Sequence, residues 1–141
     1  MGTNSPYFPS SVDCDEEAIV YLGMMISALK SQTYTAVTGS PTATAAQMVG
    51  GVIEISGGVT ATITTDTAAN IIARMLALDA NSGIGSTANF SIVNGNTGTV
   101  TLAAGANVTL VGVDAATILT DTAKRYQIKQ LTATTVSVTQ V

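Results

Sequence analysis

Gly50-Gly51-Val52-Ile53-Glu54-Ile55-Ser56-Gly57-Gly58-Val59-Thr60-Ala61-Thr62-Ile63-Thr64 is the stretch on which the fold turns. Val52, Ile53 and Ile55 stand before Gly57-Gly58, and Val59, Ala61 and Ile63 stand after it. Apolar residues at alternate positions make a strand with one buried face, and a glycine pair between two such runs reads as a hairpin. The rhythm returns downstream. Phe90 and Ile92 lead into a turn at Asn94-Gly95, residues 99–102 alternate Thr with apolar side chains, and Ala104-Gly105-Ala106 turns the chain again. Residues 108–111 run to Gly112, residues 117–122 are ambiguous, and residues 126–131 and 136–141 form a final β pair. Turns about every 8–12 residues suit two packed sheets or a closed one. The expected fold is therefore mainly β, an antiparallel β-sandwich or barrel, with Thr facing outward and Val, Ile and Leu inward.

One segment breaks the β rhythm. Ala68, Ile71, Ile72, Met75 and Leu76 recur at helical spacing on one face, which predicts a short inserted helix. Asp66 is the expected N-cap, and Asn81-Ser82-Gly83 the stop. Upstream, residues 1–12 read as an extended arm, because Pro6 and Pro9 bias their predecessors away from helix. Tyr7 and Phe8 in that arm either dock on a neighbouring molecule or belong to a frayed terminus. Residues 13–30 read as an N-terminal helix, with Asp13 as cap, Glu16 completing a capping box and Lys30 in the last turn. Its body, including Ile19, Leu22, Met25 and Ile26, is apolar all round, as in a buried helix. Gly23 keeps a two-strand alternative open. Residues 31–47, rich in Thr, Ser and Ala, read as linker. The expected organisation is an N-terminal arm, helix and linker over 1–47 and a β-rich domain over 48–141.

Composition narrows the function. The chain has 141 residues, 9 Asp+Glu, 5 Lys+Arg and no His, and only 10% of its residues are charged; about 25% is usual. Thr, Ala and Gly fill 56 positions. A monomer of this size exposes roughly 7,000 Å², and a soluble domain covers about 25–35% of its surface with charged residues. Fourteen charged side chains do not suffice, so large faces are expected to be buried against copies of the chain or a larger scaffold. Phosphate binding needs clustered Lys and Arg, so nucleic acid is not an expected partner. The longest apolar run, residues 18–29, is too short to span a bilayer, and acidic residues 13–17 precede it where a signal peptide would be basic.

No motif supplies chemistry. Without His, neither a Ser-His-Asp nor a Cys-His arrangement can form. Cys14, the single cysteine, lies between Asp13 and Asp15, which disfavour its thiolate. Asp13, Asp15 and Glu17 begin like a calcium loop, but Ala18 and Met24 hold the positions that need Gly and Glu. Gly83-Ile84-Gly85-Ser86-Thr87-Ala88 has dinucleotide-binding spacing, yet it follows a helix and precedes a strand, the reverse of the context phosphate binding needs. Lys124, Arg125 and Lys129 form a small basic cluster, read either as a solvated sheet edge or as a contact for an acidic face such as residues 13–17 of a neighbour. The chain is expected to have no catalytic residues, no metal site and no cofactor.

Several segments taken in order carry a resemblance: Gly50-Gly51 opening a strand, Asp66-Thr67-Ala68-Ala69-Asn70-Ile71 opening a helix, then Phe90-Ser91-Ile92-Val93-Asn94, Thr99-Val100-Thr101-Leu102, Gly105, Val108-Thr109-Leu110-Val111-Gly112, and Val136-Ser137-Val138. This order resembles a β domain of tailed-bacteriophage virion proteins, notably capsid decoration (cement) proteins and head or tail fibres. The resemblance covers roughly residues 48–141. Thr65-Asp66 stands where members often carry Leu-Pro. It implies a non-enzymatic virion protein, in the first instance a decoration protein on the capsid surface, assembled in the host cytoplasm. Such a protein binds the major capsid protein as a homotrimer and stabilises the head; the membrane is not a partner. Tyr7, Phe8, Ile19, Leu22, Met25 and Ile26 are the expected partner-interface residues. The alternative is a fibre or receptor-binding module that recognises host glycans.

Overall fold

In the computed structural model, which describes residues 33–112 and 116–141, the chain first winds as a coil and then pairs as a meander. The strands are β1 (Tyr34–Val37), β2 (Val52–Ser56), β3 (Ala61–Thr64), β4 (Thr87–Gly95), β5 (Val100–Ala103), β6 (Val108–Val111), β7 (Thr117–Ile118), β8 (Ala123–Gln130) and β9 (Val136–Gln140); the helices are α1 (Ala45–Met48) and α2 (Ala68–Leu78). Each coil lays one segment in each of two sheets. The first runs through β1, a bridge from Thr42 to Thr64, and α1. The second runs through β2, β3 and α2, and the third through β4 and β5. Successive coils stack in parallel: β1 on β2, β2 on β4, and β3 on β5. Val52 pairs with Ser91 and Ala61 with Val100, the same offset of 39 residues in both sheets.

The mainly β architecture, with two sheets and a short inserted helix, is the one the patterning predicts. The strand directions differ from the antiparallel expectation, and Gly57-Gly58 is the reason. It is a corner between sheets, not a hairpin. Gly57 adopts φ +83°, a region open to glycine at little cost, and the Gly58 N–H donates to Asn96 Oδ1 of the next coil at 2.9 Å. Because β2 and β3 enter different sheets, the neighbours within each sheet come from successive coils and run the same way. Antiparallel pairing begins later, at β4–β8, β8–β9 and β5–β7. The expected final pair is β8–β9, closed by a turn in which the Leu131 N–H donates to Thr135 O at 3.0 Å. β6 lies parallel to β9, which completes the six-stranded order β1-β2-β4-β8-β9-β6 beside the three-stranded β3-β5-β7.

Residues 33–47, read as linker, hold β1 and all of α1 but its last residue, Met48. Thr44 Oγ1 accepts from the Gln47 N–H, and Gln47 Oε1 accepts from the Thr44 N–H at 2.8 Å, a capping box that starts α1. Directly after α1, Gly51 backs onto it so closely that a Cβ would overlap Gln47 O. The predicted inserted helix is α2. Its N-cap is Thr67, one residue later than expected, with Oγ1 accepting from Asn70 N–H at 3.3 Å. Asp66 does something broader. Its Oδ1 accepts from the Thr67 N–H at 2.8 Å and from Asn70 Nδ2 at 2.7 Å, while Oδ2 accepts from the Ala45 N–H at 2.7 Å. One carboxylate therefore serves the N-terminal ends of both helices, where unpaired backbone donors need acceptors.

The core lies between the sheets and under α2, built from Ile53, Ile55, Ile63, Ile71, Ile92, Leu102 and Tyr126 among others. Of the predicted helix face, Ala68, Ile71 and Met75 are buried and Leu76 is exposed. One buried polar residue joins the layers. Asn94, at the end of β4, donates through Nδ2 to Gly98 O at 2.8 Å and to Ile118 O at 3.0 Å, and its Oδ1 accepts from the Asn96 N–H at 2.9 Å. All its polar capacity is directed at backbone, so its burial is compensated. The described residues belong to one compact unit, Gln32–Val141.

Candidate assembly surface

The six-stranded sheet ends in two similar edges. β1 reads Tyr-Thr-Ala-Val and β6 reads Val-Thr-Leu-Val. Neither carries a charge or a proline, the devices that usually keep sheet edges from pairing. The charges of this sheet sit on inner strands instead: Glu54 on β2, and Lys124, Arg125 and Lys129 on β8. The basic cluster is thus not a sheet edge, since β8 is paired on both sides, by β4 and by β9. Lys124 Nζ donates to Gln140 Oε1 at 3.0 Å. Arg125 lies on the outer face opposite Ser91.

Strand direction and backbone geometry define what each edge offers. β1, β2 and β4 run together, β8 reverses, and β9 and β6 run with β1 again. The two edges are therefore parallel. The Val52 N–H donates to Thr33 O at 2.8 Å, so Thr33, Thr35 and Val37 aim their backbone groups at β2, while Tyr34 and Ala36 aim theirs outward. On the other edge, the Val136 N–H donates to Asn107 O at 3.2 Å, so Thr109 and Val111 aim at β9 and Leu110 aims outward. The Val108 N–H is engaged by Gly105 O at 3.2 Å, which leaves its carbonyl on the open side. Tyr34 is 63% exposed and Val111 44%.

Two of the open hollows on the surface are large enough for a small molecule. One, of about 310 Å³, is lined by Val49, Met75, Leu78, Asp79, Ser82 and the start of β4. The other, of about 320 Å³, lies on the outer sheet face between Gly50–Val52, Asn89–Ser91 and Arg125. Each has a single ionisable side chain in its wall, so neither pairs an acid with a base. Among the described residues no group of three or more Cys, Asp or Glu is placed to hold a metal ion.

The expected interface residues Tyr7, Phe8, Ile19, Leu22, Met25 and Ile26 lie outside the described residues, as do Cys14 and the acidic residues 13–17. Gly83 and Gly85 lie in the loop from α2 to β4, helix first and strand second. The two sheet edges escaped the sequence reading. Residues 34–37 and 108–111 are short β-forming runs without a charge. What the sequence withholds is the order of strands in the sheet, and only that order makes them edges. Comparison with protein-family models, with curated proteins and with solved structures returns no match.

Proposed function

We propose that this chain is a structural virion subunit, a capsid decoration protein that binds the major capsid lattice as a homotrimer and stabilises the head. The observation that carries the reading is the placement of charge: the few ionic groups of the six-stranded sheet stand on inner strands, and both edges are bare. A subunit that works among copies and on a lattice needs such surfaces; a solitary one guards them. The resemblance over residues 48–141 supplies the virion context. The action is mechanical. At about 25 cal/mol per Å², a few hundred Å² of apolar area per subunit contributes several kcal/mol before association costs. Repeated over many sites, it resists the pressure of packaged genome. Residues 1–30, with Tyr7, Phe8, Ile19, Leu22, Met25 and Ile26, are assigned to the contacts with capsid and neighbouring subunits.

The test is co-sedimentation with expanded capsids from the same source, read together with capsid survival under heat. Binding and a gain in survival support the reading, and deletion of residues 1–30 abolishes both. A protein that neither binds nor protects such capsids overturns it. Glycan recognition by a fibre module draws less support, because Phe90 and Tyr126 stack inside the core and Tyr34 is the exposed aromatic among the described residues. A glycan array separates the two.

A further inference from the structure

We propose that the two bare edges meet, β6 of one copy adding in parallel to β1 of the next, so that the six-stranded sheets of three copies continue into one another around a ring. The inference rests on the homotrimer reading and names the contact that closes it.

Direction is the first argument. The two edges run the same way, so a head-to-tail contact pairs them as parallel strands, and a head-to-tail contact repeated through one third of a turn closes a trimer. Backbone groups are the second. With Leu110 opposite Thr35 of the next copy, the Leu110 N–H reaches Tyr34 O and the Ala36 N–H reaches Leu110 O. The Tyr34 N–H reaches Val108 O, and the Gly112 N–H reaches Ala36 O. Every group named is on the side of its strand that no other described strand occupies.

Side-chain alternation follows from the same strand geometry. Thr35 and Leu110 both lie on the core side of their strands, while Tyr34, Ala36, Thr109 and Val111 lie on the outer side. The register that satisfies the hydrogen bonds therefore also matches the faces; a slip of one residue would turn one sheet inside out relative to the other. It places exposed Tyr34 diagonally beside exposed Val111, within reach across a strand pair.

Proline is the discriminating probe, because among the described residues the Ala36 and Leu110 N–H groups take no part in the subunit's own ladder. Ala36→Pro and Leu110→Pro each delete a donor to the neighbouring copy and none within the sheet. In the full-length chain, measured by size exclusion with light scattering, each is expected to weaken the trimer at least about tenfold while circular dichroism keeps the β signal. As a second reading, Tyr34→Cys and Thr109→Cys proteins in a Cys14→Ser background are mixed. They are expected to cross-link to each other with a short thiol-reactive linker, and neither to itself. A trimer that survives both prolines and yields no mixed cross-link overturns this contact and leaves the homotrimer reading standing. A wild-type monomer overturns both. A wild-type dimer lost on Ala36→Pro but not on Leu110→Pro means β1 pairs with β1 of its twin, and also overturns the contact.

Discussion

Phe90 and Tyr126 face each other across β4 and β8, with ring centroids 5.2 Å apart and planes 22° from parallel. They are register partners at the middle of the six-stranded sheet, and both are buried. An offset stack of this kind adds to the area the two rings remove from water. It also fixes β8 against β4 at the point where the parallel coil gives way to antiparallel pairing.

Burial has a titration consequence. The Tyr126 phenol is pushed from 10.0 up to about 12 by loss of hydration. Between those values the unfolded chain gives up this proton and the folded chain keeps it, so stability falls as pH rises through the window. Below pH 10 the contribution is fully present. Urea unfolding at about pH 9 and about pH 11 is expected to show a lower midpoint at the higher pH, and Tyr126→Phe to show a smaller drop. Equal drops in the two proteins would refute the assignment.

Asn94→Ala is expected to cost about 2–4 kcal/mol, because it strands the Gly98 and Ile118 carbonyls and the Asn96 N–H in the interior. Asn94→Asp keeps the acceptor but loses both Nδ2 donors, and places a carboxylate against two carbonyls; it is expected to be at least as damaging near neutral pH. Denaturant midpoints on the two variants check this, and a loss below about 1 kcal/mol in both would contradict the joint described for Asn94.

Asp66 joins α1 and α2 through one carboxylate. Asp66→Ala removes acceptors from the Ala45 and Thr67 N–H groups and from Asn70 Nδ2, and a loss of about 1–3 kcal/mol is expected. Asp66→Asn retains one carbonyl acceptor and should fall between. Hydrogen exchange gives the sharper readout: the Ala45 and Thr67 amides, far apart in sequence, should lose protection together in Asp66→Ala. Loss at only one of them would show that the helices are capped separately.

Gly51→Ala tests the coil itself. A methyl there overlaps Gln47 O, so α1 must move off the start of β2. Destabilisation of about 2 kcal/mol or more is expected, with the thermal transition shifted down. A neutral effect would mean that the two elements are not held as described.

Much of the fold could be read from the chain because burial leaves a period. Ile53-x-Ile55, Ala61-x-Ile63, Phe90-x-Ile92 and Val136-x-Val138 all show alternate residues turned to the core, and Ala68, Ile71 and Met75 show a helix. Period two reports a buried face; it says nothing about which strand lies alongside or in which direction. Gly57-Gly58 was therefore legible as a reversal and not as a corner, and the parallel pairing stayed hidden. The capping box at Thr44 and Gln47 starts a helix of only four residues, too short to leave a helical period in the Thr/Ser/Ala-rich run around it. Edge positions are a property of the assembled sheet, so no local pattern marks Tyr34 or Leu110. Lys124, Arg125 and Lys129 misled for the same reason, since a basic run looks like a guard until β4 and β9 are seen on either side.

The constant spacing from Val52–Thr64 to Ser91–Ala103 makes the molecule extensible. Copying residues 52–90 in tandem would insert one more turn of the winding with all strands still in phase, whereas an insertion of another length between Thr64 and Thr87 would have to be absorbed in the loops. Growth by this route gains height in whole storeys, with the antiparallel meander riding unchanged on top as a roof, while the shorter step from Tyr34 to Val52 shows that a storey can also be built from less chain.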